Sequence, residues 1–352
     1  MGPEGVLGGA WQIGRGQASR RGPRRRTGLV LGAGGVVGAA WMTGALHVVQ
    51  QRLPVPVGDV DLIVGTSAGS VLAAALRCGV TLDEISALQR GEAVPALRDA
   101  GVRDLDERPL PPHPHLRAGS PRLMLTTLRA PHTIHPGVGA SAWLPRGRGR
   151  HEALHATVAA LHDFAAGRHS GLHAGAWSPE SWADGRTWIV AVDYDTGRRV
   201  MFGREGAPRV LLADAVVASC SIPGWYEPAV IDGRRYVDGG VRSSTSLRSL
   251  AQAGLDEVYV LAPMASVVPD RPARPSRRLE RRLRRLITRT LLREAEVLRA
   301  GGTRVTVLTP GPEDLAAMGF NLMDPRRRQP VLETSLRTSA ATLAAKGHPQ
   351  VA

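Results

Sequence analysis

Asp61-Leu62-Ile63-Val64-Gly65-Thr66-Ser67-Ala68-Gly69-Ser70 runs four residues of strand character straight into Gly-x-Ser-x-Gly, and an apolar run from Val71 to Leu76 follows at helical spacing. Strand, tight turn and helix are the setting of a nucleophile elbow, in which a serine is held out on a sharp bend. Gly65 and Gly69 relieve crowding on both sides of that bend. The helix behind it aims its first N–H groups at the serine and favours negative charge there. Ser67 is therefore the first candidate catalytic residue. The competing account is a glycine-rich turn with a serine at a helix start.

One strand upstream, Leu29-Val30-Leu31 reads as a short buried strand and Gly32-Ala33-Gly34-Gly35-Val36-Val37-Gly38 as a glycine-rich turn. Ala39 to Leu53 then reads as a helix with Leu46, Val49 and Leu53 on its apolar face. A dinucleotide fingerprint has the same layout. The spacing fits it poorly. Ala33 or Val37 stands where a fingerprint glycine is wanted, and Ser67 stands where an acidic residue is expected. A glycine loop beside a serine elbow suits a different use: backbone N–H groups, bare of side chains, that face the serine as an oxyanion hole.

Downstream of the elbow, a polar helical stretch is expected from Gly79 to about Arg103. Residues 104–151 hold many prolines, glycines, arginines and histidines and read as a long irregular excursion, a candidate lid. Residues 152–167 return to helical spacing. Trp188–Asp193 and Arg199–Phe202 read as a hairpin across Asp195-Thr196-Gly197, and Leu211–Cys220 as an apolar helix stopped by Pro223. Val230-Ile231 and Tyr236-Val237 form a second hairpin across Asp232-Gly233. It delivers Asp238-Gly239-Gly240 at a strand end, which is either a site aspartate or a plain Asp-Gly turn.

Taken together, Leu31–Gly38, Gly65–Gly69, the helix end Ala218-Ser219-Cys220-Ser221-Ile222-Pro223 and Asp238-Gly239-Gly240 resemble the patatin-like phospholipases in order and spacing, over roughly residues 27–247. The resemblance implies an α/β fold, a three-layer α/β/α sandwich around a mainly parallel sheet. It implies a dyad of Ser67 as nucleophile and Asp238 as general base, with oxyanion donors at Gly34 and Gly35. Gly38, Gly65, Gly69, Gly239 and Gly240 are its supporting motif glycines. Two departures stand out. Ala33 interrupts what is usually a run of three glycines, and Val37 takes the place of a basic residue, which removes an anion contact from the loop.

The formal charge of +14 is nearly all arginine, since Lys346 is the only lysine. Such a surface is drawn to anionic partners. No recognition motif or aromatic interleaving supports nucleic acid as one of them. Arg277–Arg299 carries Leu279, Leu283, Leu286, Ile287, Leu291 and Leu298 at helical spacing, with Arg278, Arg281, Arg282, Arg285 and Arg289 on the other face. That helix either covers the sheet or lies on an anionic membrane. Glu257–Ala262 and Arg304–Leu308 read as buried strands around it. Cys78 and Cys220 are expected as buried thiols, and the histidines as solvated or loop residues outside any metal spacing. No metal or cofactor is implied.

The arginines at 20–26 and the apolar run at 29–46 mimic a signal peptide, but glycines crowd the run and no small-residue cleavage site follows. The expectation is a cytoplasmic chain, without a signal peptide or transmembrane helix, that can sit peripherally on a membrane. It is divided into a disordered Arg/Gly-rich tail (1–26), a catalytic domain (27–247) and a C-terminal α/β extension on the same sheet (248–352). The expected partner is a lipid or acyl-ester substrate. Two alternatives remain: a Ser-His-Asp esterase, although His348 is the one histidine after Asp238, and a peripheral scaffold that binds acyl chains without turning them over.

Overall fold

A computed structural model describes residues 25–102, 115, 117–169, 182, 186–268 and 275–346. The tail up to residue 24, residues 103–114 and 116 of the excursion, and His113, His173 and His348 lie outside the described residues.

The chain runs β1 (Thr27–Leu31), α1 (Gly35–Gln50), β2 (Leu62–Thr66), α2 (Ala68–Arg77), α3 (Leu82–Arg90), α4 (Pro95–Asp99), α5 (Pro121–Arg129), α6 (Pro136–Ser141) and α7 (Glu152–His169). It continues with β3 (Thr187–Asp193), β4 (Arg199–Phe202), α8 (Leu212–Cys220), β5 (Ala229–Ile231), β6 (Arg234–Asp238) and β7 (Glu257–Leu261). The last elements are α9 (Pro275–Ala300), β8 (Arg304–Leu308), α10 (Pro312–Met318) and α11 (Arg328–Lys346). The strands form one sheet in the order β5-β6-β3-β2-β1-β7-β8, with β4 also pairing β3. β3, β2, β1, β7 and β8 are mutually parallel, whereas β4, β5 and β6 make the antiparallel end.

Alternate strand residues feed two separate cores, which is how a sheet supports helices on both faces. Leu29, Leu31 and Ile63 join the core with α1, α2, α7 and α8. Val30, Leu62 and Val64 join the one beneath α9. The result is a three-layer α/β/α sandwich. In the outer layer α11 lies close along α1: a Cβ on Gly44 would stand 2.7 Å from that of Ser335, whose hydroxyl donates to the Trp41 carbonyl at 2.7 Å.

Four sequence expectations are corrected. The glycine loop is short, because α1 begins at Gly35 and ends at Gln50, before Leu53. The stretch after Gly79 is two helices, not one. Gly91 ends α3 in the left-handed conformation and Pro95 opens α4. The described part of 104–151 is irregular only in part: Pro121 and Pro136 stand at the first turns of two short helices, α5 and α6, where a missing N–H does no harm. On α9, Arg281 is buried and paired with Glu280 at 3.0 Å, while Leu283 and Leu286 are exposed beside Arg282, Arg285 and Arg289.

Candidate active site

Ser67 sits between β2 and α2 with φ 53° and ψ −125°, a region that non-glycine side chains rarely occupy. Close packing on both sides enforces the bend. A Cβ on Gly65 would stand 2.6 Å from the Gly69 carbonyl oxygen, and one on Gly69 would stand 2.1 Å from the Leu31 carbonyl oxygen. Neither position admits a side chain, so the motif glycines are explained by contact with β1 and with the first turn of α2. Ser70 braces that turn, its hydroxyl donating to the Ser67 carbonyl at 2.6 Å.

Strand register brings Asp238 to the serine. Along β3, residues 189–192 pair with β4 on one edge. On the other edge β2 occupies 187–190 and β6 occupies 191–193. β2 ends with Thr66 opposite Val190, and β6 arrives from the opposite direction to end with Asp238 opposite Ala191. The two strands thus meet end to end, and the residues just past Thr66 and at the tip of β6 face each other. The last turn of α8 ties the junction. The Ser219 hydroxyl donates to the Val190 carbonyl at 2.7 Å and accepts from the Ser67 N–H at 2.9 Å. The Ser221 carbonyl accepts from the Asp238 N–H at 3.0 Å.

Asp238 is buried, and desolvation pushes its carboxyl up to about 6. Hydrogen bonding with the Ser67 side chain and with the Gly240 N–H, at 2.7 Å to Oδ1, acts against that rise. Gly239 lies so close to β3 that a Cβ there would stand 2.7 Å from the Val190 carbonyl oxygen.

The glycine loop is clamped from three directions. The Gly32 N–H donates to Leu261, Ala33 to Ser244 and Val37 to Leu322. A Cβ on Gly34 would stand 2.6 Å from Pro263, and one on Gly35, at φ +60°, 2.8 Å from the Leu322 carbonyl. Gly38 packs against the same Pro263. Among the described residues, the N–H groups of Gly34 and Gly35 have no hydrogen-bond partner.

Ser67, Gly35 and Val36 line an apolar cavity. Its walls are Val71, Leu72 and Ala75 of α2, Ile85 and Leu88 of α3, and Leu161 of α7. Such a slot suits a hydrocarbon chain. His151, Cys220, Tyr226, Met323 and Arg328 also line it. His151 is not solvated. Its ring stacks on Tyr226 with centroids 3.7 Å apart, Nε2 lies 3.1 Å from the Cys220 carbonyl, and burial pushes its pKa down to about 4. His162 is buried as well. Both cysteines are buried free thiols. Among the described residues, no group of three histidine, cysteine or acidic side chains is placed to hold a metal ion.

A family model, patatin-like phospholipase, matches residues 29–251, from β1 through the junction of Ser67 and Asp238. The chain belongs to the patatin-like phospholipase family. Solved structures match the chain at low identity. They include VipD from Legionella pneumophila at 14% identity and TM-score 0.42, covering 92% of this chain and 67% of that one. The type III effector ExoU matches at 15% and 0.37, covering 92% and 54%. The heterodimeric ExoU–SpcU complex from the type III secretion system of Pseudomonas aeruginosa matches at 17% and 0.36, covering 92% and 60%. The chain spans between about half and two thirds of the length of these structures.

Of the patatin-like motif residues, Ser67 and Gly35 line the cavity, and Asp238 reaches it through its hydrogen bond with Ser67. Sequence reading missed Ser219 as a positioning group, His151 and Tyr226 as wall residues, and the contribution of the C-terminal third. Leu322, Met323 and Arg328 hold the glycine loop or line the cavity, so that segment is more than a structural support. Ser219 was within reach, being part of the motif at the helix end. Nothing in the local sequence of Met323 or Arg328 signals their place.

Proposed function

We propose that the chain is a serine acyl hydrolase acting on lipid esters, of phospholipase, lysophospholipase or esterase type. The observation that carries this reading is a strained elbow serine that lines an apolar cavity and is hydrogen-bonded to a buried aspartate. Asp238 takes the Ser67 proton as the hydroxyl oxygen attacks the ester carbonyl. The tetrahedral oxyanion forms against the N–H groups of Gly34 and Gly35 at the start of α1. Collapse expels the alcohol, which receives the proton from Asp238, and leaves the acyl chain on Ser67 in the cavity. Water, deprotonated by Asp238, then releases the fatty acid. Nucleophile, base and oxyanion donors all come from the chain.

In this reading residues 27–247 are the catalytic domain, and residues 248–352 are an extension that completes the sheet and the cavity. A lipid surface is the expected partner, with the exposed Leu283 and Leu286 among arginines of helix 277–299 as a contact. Among the described residues no helix is long and apolar enough to cross a membrane.

The test is hydrolysis of a fluorogenic short-chain ester and a phospholipid panel by wild type, Ser67→Ala and Asp238→Asn, with folding followed by circular dichroism. Loss of turnover in both folded variants is expected, by about 10³-fold or more. Survival of Asp238→Asn would return the base to a histidine. A wild type that binds a fluorescent fatty acid and hydrolyses nothing would make the chain a lipid-binding scaffold.

A further inference from the structure

On the α9 side of the sheet a second cleft, of about 650 Å³, opens between β4 and the segment after Asp238. Four arginines line it: Arg199 on β4, Arg204 just beyond that strand, Arg242 and Arg248. Glu205 is the acid in its lining, and Glu294 lies close enough to act on Arg199 from behind. Glu294 is buried and receives the Ser243 hydroxyl at 3.3 Å. The cleft is left with an excess of two positive charges.

Two of these guanidiniums are incompletely satisfied. The Nε atoms of Arg199 and Arg242 are buried and have no hydrogen-bond partner among the described residues. Arg199 donates Nη1 to the Ser249 hydroxyl. The pKa of Arg199 is lowered first by desolvation and then by the like charge of Arg242, and that of His135 is lowered first by desolvation and then by Arg242 and Arg199. Holding like charges together in half-buried positions with buried N–H groups left unpaired is unfavourable unless something of opposite charge joins them. Arginine forks match the oxygens of phosphate in number and direction.

We propose that the Arg199–Arg242 cleft, with Arg204 and Arg248 on its rim, binds a phosphate-bearing anion. Arg242 follows Asp238 by four residues, on a tight turn. Its N–H and that of Ser243 both donate to the Gly239 carbonyl, at 3.0 and 3.2 Å, and the Gly240 N–H holds the Asp238 carboxylate. An anion bridging Arg199 and Arg242 clamps this turn to β4, and through β3 to the serine's own strand. Occupancy is therefore sensed at Asp238. This second half rests on the proposed hydrolase reading; the binding itself does not.

The experiment measures pyrophosphate binding by calorimetry in wild type, Ser67→Ala, Arg199→Gln, Arg242→Gln and an exposed control on α11, Arg337→Gln. Saturable binding is expected in wild type, Ser67→Ala and Arg337→Gln, with affinity at least about tenfold lower in Arg199→Gln and Arg242→Gln. Equal affinity in all five, or no saturable binding in wild type, overturns the site. Should the two inner variants unfold, the exposed rim variants Arg204→Gln and Arg248→Gln carry the same test. Sedimentation with phosphatidylcholine vesicles, with and without phosphatidic acid, separates the sources. Preference for phosphatidic acid that Arg242→Gln abolishes identifies a headgroup, and pyrophosphate binding without that preference identifies a free anion. Since Ser67→Ala binds without turnover, failure of the hydrolase reading leaves this readout intact. If pyrophosphate binds but wild-type ester turnover does not change, the link to Asp238 falls.

Discussion

In the proposed dyad, Ser67 is held in a strained backbone conformation and Asp238 is desolvated. An aspartate in water is a weak base at its ordinary pKa of about 4. Burial raises Asp238 to about 6 and makes it a better proton acceptor while it stays ionised at neutral pH. With a neutral ester, kcat/KM should fall about tenfold per pH unit below that value and level off above it. A profile flat well below pH 6 would remove Asp238 as the base. Ser219 is the companion residue: one hydroxyl fixes the Ser67 N–H and the Val190 carbonyl together. Ser219→Ala should lower kcat by roughly tenfold or more, as expected for leaving buried polar groups unpaired, with little change in KM. Recovery in Ser219→Thr would mark it as a positioning group, whereas an equal loss in both variants would mark general disruption.

Among the elements, α2 does two jobs: its N-terminus carries the serine and its flank walls the cavity through Val71, Leu72 and Ala75. Ala75→Leu shortens that slot. The ratio of palmitoyl-ester to butyryl-ester turnover should drop by about tenfold, the size expected for a few methylenes in an apolar pocket. An unchanged ratio would place the acyl chain elsewhere. Elements of this kind were largely legible in advance. β2, α2, both hairpins, α8, β7 and β8 follow from local periodicity and turn residues, such as Asp232 and Gly233, which both take positive φ. The errors share a cause. A proline-rich composition points to an irregular segment, yet Pro121 and Pro136 start helices, and helical spacing sets Arg281 on the arginine face, yet it is buried beside Glu280. Proline is ambiguous until its place in the turn is known, and an arginine's fate depends on a partner.

For the whole molecule, Asp238 is a cost to stability. Its native pKa lies above the unfolded value, so the folded chain binds the proton more tightly. The stabilisation from that proton is present at low pH and is lost as pH rises from about 4 through about 6. At neutral pH the buried carboxylate costs up to about 3 kcal/mol relative to its protonated form. Asp238→Asn should therefore melt higher than wild type at pH 7 by calorimetry, with the gap closing toward pH 4. A lower melting point at neutral pH would show that the hydrogen bonds of the carboxylate outweigh its desolvation.

Local sequence settles the strand–turn–helix units, the elbow, the glycine loop and the Asp-Gly-Gly strand end, because steric limits and hydrophobic periodicity act over a few residues. Family resemblance then joins those pieces into a site. What it cannot supply is the physical junction. β2 and β6 are distant in the chain and meet only because both pair with one edge of β3. Leu322 reaches the glycine loop, and Met323 and Arg328 the cavity, only because α11 packs along α1 and brings the segment before it over that loop. Those contacts are long-range packing choices, made by the shapes of whole faces, and no short stretch of sequence encodes them.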